Sequence, residues 1–150
     1  MKATFGAGCF WHVEDLLSKT KGVNSTQVGY IGGNLPDPTY EEVCTDRTGH
    51  AEAVEVDYDP NEISYEELLD VFWNNHNPTT LNRQGPDVGI QYRSAIFYHD
   101  EKQKEIAEKS KLDLDSSGKF PNPVVTEITP APTFYKAEEY HQKYFKKNGF

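Results

Sequence analysis

The run Phe5-Gly6-Ala7-Gly8-Cys9-Phe10-Trp11-His12-Val13-Glu14 constrains the fold more than any other stretch of this chain. An apolar start meets a glycine turn, then a cysteine, then apolar residues at helical spacing. A strand must therefore turn sharply into a helix, with Cys9 at the helix's first turn. Backbone N–H groups and the positive dipole end at that place favour a thiolate, so a lowered thiol pKa is expected. A thiolate there is a nucleophile. The aromatics Phe10 and Trp11 can wall one side of the sulfur, although residues at helical spacing also serve a core; Phe10 is expected to do both.

Residues 3–5 read as a strand, and a helix follows from about Cys9 to Lys19 on the stripe Phe10, Val13, Leu16 and Leu17, stopped by Gly22. Val23–Tyr30 is a second strand. Ala51–Tyr58 is the clearest strand, ended by Asp59-Pro60-Asn61. Its alternation puts Glu52 on one face with Val54, Val56 and Tyr58, and Glu55 and Asp57 on the other. Ser64 and Glu67 form a capping box for a helix with the stripe Tyr65, Leu68, Leu69, Phe72 and Trp73. Ser94–Tyr98 is a strand. Asp100 with Gln103 caps a charged helix to about Leu112, whose Lys102–Lys111 run is a solvated face. Val124–Ile128 reads as a strand, and Ala137–Phe145 as a short final helix. The first six elements run strand, helix, strand, strand, helix, strand. This predicts an α+β two-layer sandwich with a ferredoxin-like βαββαβ core and a mixed or antiparallel sheet, in one catalytic domain over residues 1–150. The loops at 31–50 and 77–91 are long for such a domain and are expected to carry function.

Composition narrows the function. A net charge of −9 argues against nucleic acid as partner, and no stretch approaches the roughly 18 apolar residues of a membrane span. The N-terminus is too short for a signal peptide, and two cysteines do not make a disulfide scaffold. A cytoplasmic monomer with reduced thiols is expected. No zinc spacing is present among the histidines, and Gly6-Ala7-Gly8 fails the dinucleotide fingerprint because Trp11 holds the third glycine position, so neither metal nor bound cofactor is expected.

Around Cys9 the chain offers few polar partners. Glu52 ends an apolar row, where desolvation raises a carboxyl pKa. A neutral Glu can give a proton at neutral pH. Tyr40 follows a proline loop, Asp87 lies in the second long loop, and Tyr92 and Arg93 stand where that loop enters a strand. A thiol nucleophile, a protonated acid and one or two phenols suit attack on a centre whose oxygen must be protonated as it leaves. A cysteine hydrolase pairing Cys9 with His50 or His76, and a peptide-binding module in which Cys9 is incidental, are the competing readings.

Further blocks stand in order along the chain: Gly8-Cys9-Phe10-Trp11, Gly29-Tyr30-Ile31-Gly32-Gly33, Pro38-Thr39-Tyr40-Glu41-Glu42-Val43-Cys44, Thr48-Gly49-His50-Ala51-Glu52, Asn82-Arg83-Gln84-Gly85-Pro86-Asp87, then Gly89, Gln91-Tyr92-Arg93-Ser94 and Ala137-Glu138-Glu139-Tyr140-His141-Gln142. Together they resemble the A-type peptide methionine sulfoxide reductases over nearly the whole sequence. The resemblance implies reduction of the S epimer of methionine sulfoxide, free or in proteins. It makes Cys9 the nucleophile, Glu52 the acid, Tyr40 and Tyr92 the groups that polarise the sulfoxide oxygen, and Phe10 and Trp11 the wall for the S-methyl group. Asp87 lies in or supports the same pocket. Cys9 would become a sulfenic acid, reduced by an external thiol: thioredoxin, or glutathione with glutaredoxin.

Two departures stand out. Many members carry resolving cysteines in a glycine-rich C-terminal tail, and this sequence ends at Lys146-Lys147-Asn148-Gly149-Phe150 without one; His12 stands where a small residue is more usual. Cys44 is then the one internal candidate for a resolving thiol. Val43-Cys44 reads as a packed segment, which disfavours it and leaves direct reduction by an external thiol as the expectation.

Overall fold

The computed structural model describes residues 1–148. Strand β1 (Lys2–Ala7) leads through the Gly8 turn into α1 (Phe10–Ser18), followed by β2 (Val23–Ile31), the one-turn helix α2 (Tyr40–Val43), β3 (Ala51–Tyr58) and α3 (Tyr65–Asn74). The two-residue strands β4 (Arg83–Gln84) and β5 (Asp87–Val88) form a hairpin in the second long loop, and a 3-10 turn (Ile90–Tyr92) precedes β6 (Ser94–Tyr98). Then come α4 (Glu101–Ser116), β7 (Glu127–Pro130), β8 (Tyr135–Lys136), a 3-10 turn (Glu139–His141) and α5 (Tyr144–Lys147).

Six strands make one sheet in the order β7-β6-β1-β3-β2-β8, antiparallel throughout except for the parallel β6–β7 pair. Within it, β6-β1-β3-β2 with α1 and α3 form the expected βαββαβ core, in an α+β fold. Alternation in β3 assigns its two faces. Val54, Val56 and Tyr58 join Ala3, Phe5, Val28 and Tyr30 of the neighbouring strands beneath the helices. Ala51 and Ala53 face the other way, with Ile31, Ala95 and Phe97, and are covered by Ala131 and Phe134. Phe5 sits at the centre of the main core, its ring stacked on Phe72 at 5.2 Å and on Tyr65 at 6.2 Å. The stripe read for α3 is buried in full, and both halves of the Ser64/Glu67 capping box form.

Four expectations change. On α1 the buried face is Phe10, Glu14 and Leu17, while Val13 and Leu16 are only half-buried. The charged helix runs on to Ser116, beyond Leu112, because nothing in 112–116 breaks it. The strand expected at 124–128 is Glu127–Pro130. Residues 124–126 are tied instead by other bonds: Val124 N–H donates to Asp115 Oδ1 of α4 at 3.1 Å, Val125 N–H to Pro78 O of the second long loop at 2.8 Å, and the Thr126 hydroxyl pairs with that of Ser94, at the start of β6, at 2.7 Å. The final helix expected at 137–145 breaks into β8's exit, a 3-10 turn and α5, with Lys143 in the left-handed region at φ 53°. Long-range bonds made by Glu138, Gln142 and the Lys143 N–H outcompete a continuous helix.

Candidate active site

Cys9 is the N-cap of α1, immediately after Gly8 at φ 93°. A Cβ on Gly8 would stand 2.8 Å from Gln84 Cγ. Glycine is thus required both for the turn and for the approach of the β4–β5 hairpin that carries Asp87. The N–H groups of Trp11 and His12 act on the sulfur toward a lower pKa, as expected of a helix start. They lose to burial, which with the Glu52 and Asp87 carboxylates pushes the Cys9 thiol up to about 11. The lowered pKa expected from the sequence is therefore reversed in the resting protein, because desolvation outweighs a helix N-terminus.

Glu52 is the second residue of β3, opposite Tyr30 of β2, and is 1% exposed. Oε1 accepts the Phe10 N–H at 3.2 Å, and Oε2 is buried with no hydrogen-bond partner among the described residues. Burial pushes this carboxyl up to about 8, against the Phe10 N–H and with help from Asp87. The acid read from strand alternation is thus protonated at neutral pH.

The two long loops bring the phenols. Tyr40 opens α2, held by the Thr39/Glu42 capping box, and its N–H donates to Glu138 Oε2 at 3.0 Å. Its ring stacks on Phe10 at 6.4 Å. Tyr92 ends the 3-10 turn before β6; burial and the Glu52 charge push its hydroxyl up to about 12. Burial also holds the Tyr40 hydroxyl well above the ordinary tyrosine value, so both stay protonated donors. The loops are tied together where Asp46 Oδ1 accepts the Ile90 N–H at 3.0 Å. Within the first loop Gly33 N–H donates to His50 Nδ1, and His50 Nε2 donates to Leu35 O. Charge on Glu52 and Asp87 is felt by both Cys9 and Tyr92, which places the four groups in one neighbourhood.

His50 and His76, the bases a hydrolase would need, are engaged elsewhere. His76 is fixed between Phe72 O and Ser94 Oγ, and burial drives it down to about 4. Arg93 pairs with Glu127 at 2.9 Å. Among the described residues no group of three His, Cys, Asp or Glu side chains is placed to hold a metal ion.

Cys44 corrects the sequence reading. It caps the C-terminus of α2 and is exposed, not packed; Val43 alone points into the core. A helix of one turn has room to bury only one of two adjacent residues. Cys44 N–H donates to Tyr40 O at 3.0 Å, so the thiol lies one turn from Tyr40 on the same side.

Sequence reasoning missed the polar residues that hold this arrangement, Glu14 and Gln142 buried and Glu138 half-buried. Glu138 accepts the Tyr30 hydroxyl at 2.9 Å as well as the Tyr40 N–H. Glu14 bonds Thr26 Oγ1 and the Lys143 N–H. Gln142 brackets Val28, accepting from its N–H and donating to its carbonyl, both at 2.9 Å. Glu14 had a signal of the kind that marked Glu52, a carboxylate four residues after Phe10 on the apolar side of a helix.

The family model for peptide methionine sulfoxide reductase matches residues 1–150. The chain belongs to the peptide methionine sulfoxide reductase family. It is 63% identical over 147 residues to the MsrA of Methanothermobacter thermautotrophicus, covering 98% of this chain and 87% of that protein. It is similar in structure to reduced Mxr1 of Saccharomyces cerevisiae, with a TM-score of 0.89 and 38% identity over 99% of this chain and 86% of that one. Mxr1 in complex with Trx2 aligns with a TM-score of 0.65 and 26% identity, covering 96% and 84%. This reductase is an oxidoreductase that returns methionine sulfoxide to methionine at the expense of a thiol.

Proposed function

We propose that residues 1–150 act as a single monomeric catalytic domain that reduces the S epimer of methionine sulfoxide, free and in oxidised proteins, as a cytoplasmic repair enzyme. Among the described residues no helix is long and apolar enough to cross a membrane. The observation that carries the assignment of roles is Glu52 Oε2: buried, without a hydrogen-bond partner among the described residues, on a carboxyl that keeps its proton at neutral pH. It is a proton donor waiting for an acceptor.

Cys9 Sγ attacks the sulfoxide sulfur while Glu52 protonates the oxygen, and Tyr40 and Tyr92 donate hydrogen bonds to it. The S–O bond of the substrate breaks, the oxygen ends on Cys9 Sγ as the Sγ–S bond formed in the attack breaks, methionine leaves, and Cys9 is a sulfenic acid. Phe10 and Trp11 hold the S-methyl group. Asp87 supports the pocket through its charge on Glu52. Because the resting thiol is protonated, its proton leaves as the attack proceeds and restores the Glu52 carboxyl that has given its own proton to the oxygen. No bound cofactor takes part. An external thiol then displaces water from the sulfenic sulfur, and a second thiol releases Cys9. Thioredoxin fits this step, since Mxr1 has been captured with Trx2; glutathione with glutaredoxin supplies the same chemistry.

The exposure of Cys44 favours a second reading of recycling, in which its thiol attacks the Cys9 sulfenic acid, expelling water and leaving a Cys9–Cys44 disulfide for the external dithiol. The mass of enzyme oxidised by substrate separates the two: a loss of two hydrogens marks the disulfide, a gain of one oxygen the sulfenic acid. The reaction itself is tested by mass spectrometry of a methionine-sulfoxide peptide. Conversion should stop after one turnover without dithiothreitol, continue with it, and vanish in Cys9→Ser. Residual turnover by Cys9→Ser would remove Cys9 from the chemistry.

A further inference from the structure

The C-terminal segment places one buried polar ring against the aromatic side of the site. Trp11 Nε1 donates to His141 Nδ1 at 3.0 Å, across 130 residues of sequence. The bond settles the tautomer, with Nδ1 bare and the proton on Nε2. His141 is 1% exposed, and its Nε2 is buried with no hydrogen-bond partner among the described residues. A buried N–H without an acceptor is destabilising, and an apolar side chain of similar volume would fill the space without it. Nδ1 is therefore the ring nitrogen that makes a hydrogen bond, the one from Trp11. Burial holds it below the ordinary histidine pKa, against the opposing charge of Glu138, so Nδ1 stays an acceptor at neutral pH.

The ring also touches three residues of the site. Its centroid lies 4.5 Å from Tyr40, 5.2 Å from Phe10 and 5.5 Å from Trp11. Trp11 is stacked on Tyr144 at 3.8 Å and 9°. Stacking fixes the tilt of an indole and leaves it free to slide in its own plane. The hydrogen bond to Nδ1 removes that freedom.

We propose that His141 is a positioning residue that locks the Trp11 indole through Nδ1, and Phe10 and Tyr40 through its ring faces, so that the wall fits an S-methyl group and excludes larger S-alkyl groups. The inference rests on the reading of Phe10 and Trp11 as the methyl wall.

The test compares kcat/KM for methionine sulfoxide and ethionine sulfoxide, which differ by one methylene at the sulfur. The wild-type enzyme should favour the methyl compound by about tenfold or more, the usual worth of one methylene in an apolar pocket. His141→Phe keeps an aromatic ring and loses the acceptor; His141→Asn keeps an acceptor near the place of Nδ1. His141→Phe should cut the methyl preference about fivefold or more, and His141→Asn should keep it within about twofold. Trp11→Phe should also cut the preference, and adding His141→Phe to it should change nothing further. Equal losses on both substrates in His141→Phe, with the preference intact, would overturn the proposal while Trp11→Phe upholds the wall. An unchanged preference in Trp11→Phe would overturn the wall itself and the proposal with it, as would a wild-type enzyme without methyl preference. Circular dichroism of each variant accompanies the kinetics, and if His141→Phe fails to fold, His141→Leu takes its place with the same outcomes.

Discussion

The backbone N–H of Phe10 donates to Oε1 of Glu52 across 3.2 Å. The residue after Cys9 thereby holds the Glu52 carboxyl and ties the turn bearing Cys9 to the start of β3. One carboxyl oxygen is engaged in this contact and the other is buried with no hydrogen-bond partner among the described residues. The contact also lowers the carboxyl pKa, yet burial overrides it and the acid stays neutral.

Glu52→Gln should lower kcat/KM by about 10²–10⁴-fold, the usual contribution of a general acid. The amide still donates a hydrogen bond but cannot give a proton. Wild-type activity should fall as pH rises through about 8, where Glu52 ionises, and the variant should lack that limb. A pH–rate profile for each checks both points; wild-type turnover by the variant at pH 7 would remove Glu52 from the mechanism.

The same carboxyl links stability to pH. In the unfolded chain it titrates at 4.5 and in the folded protein at about 8. Below 4.5 both states are protonated and the stabilising difference is fully present. Between the two values only the unfolded chain has lost its proton, so folding stability falls as pH rises, by about 1.4 kcal/mol per unit at most. Glu52→Gln removes this loss. Thermal unfolding should show the variant gaining on wild type from pH 5 to pH 8; a flat difference would contradict the raised pKa.

Cys9 should alkylate slowly at pH 7 and accelerate toward pH 11, its thiol being held up by burial and by the Glu52 and Asp87 carboxylates. Glu52→Gln removes one of those charges and should shift the iodoacetamide rate profile to lower pH. Fast alkylation at pH 6 would show instead that the helix N-terminus dominates.

Tyr40→Phe and Tyr92→Phe should each cost less than Glu52→Gln, because two hydroxyls share one oxygen. The double variant should lose more than either single. Steady-state kinetics with a methionine-sulfoxide peptide decide; a double variant with wild-type activity would exclude both phenols.

Gln142→Ala tests the clamp on β2. Its amide holds both backbone groups of Val28 and the Ala137 carbonyl. Removing it leaves a buried N–H unpaired, a cost of about 1–3 kcal/mol, or roughly 2–4 °C of Tm per kcal/mol for a chain of this size. Differential scanning calorimetry measures it, and a Tm unchanged within a degree would mean that water replaces the amide.

Local pattern was enough for the core and for its acid. Period-two alternation fixed the faces of β3 and thus the burial of Glu52. The Ser64/Glu67 box fixed the start of α3, and glycine at position 8 the turn before Cys9. Each of these is decided within a few residues by sterics, capping and burial. The ordered blocks of the chain also carried the family. What only the tertiary structure decided lies where distant segments meet. The Cys9 pKa is set first by burial, with two carboxylates adding to it, and these reverse the local effect of the helix start. The exposure of Cys44 depends on which side of a single helical turn faces the sheet. The roles of Glu138, His141 and Gln142 come from bonds to residues about a hundred positions earlier, and those bonds break the helix that their own sequence favours. Helix periodicity describes neighbours along the chain, whereas buried polar groups take partners wherever the fold supplies them.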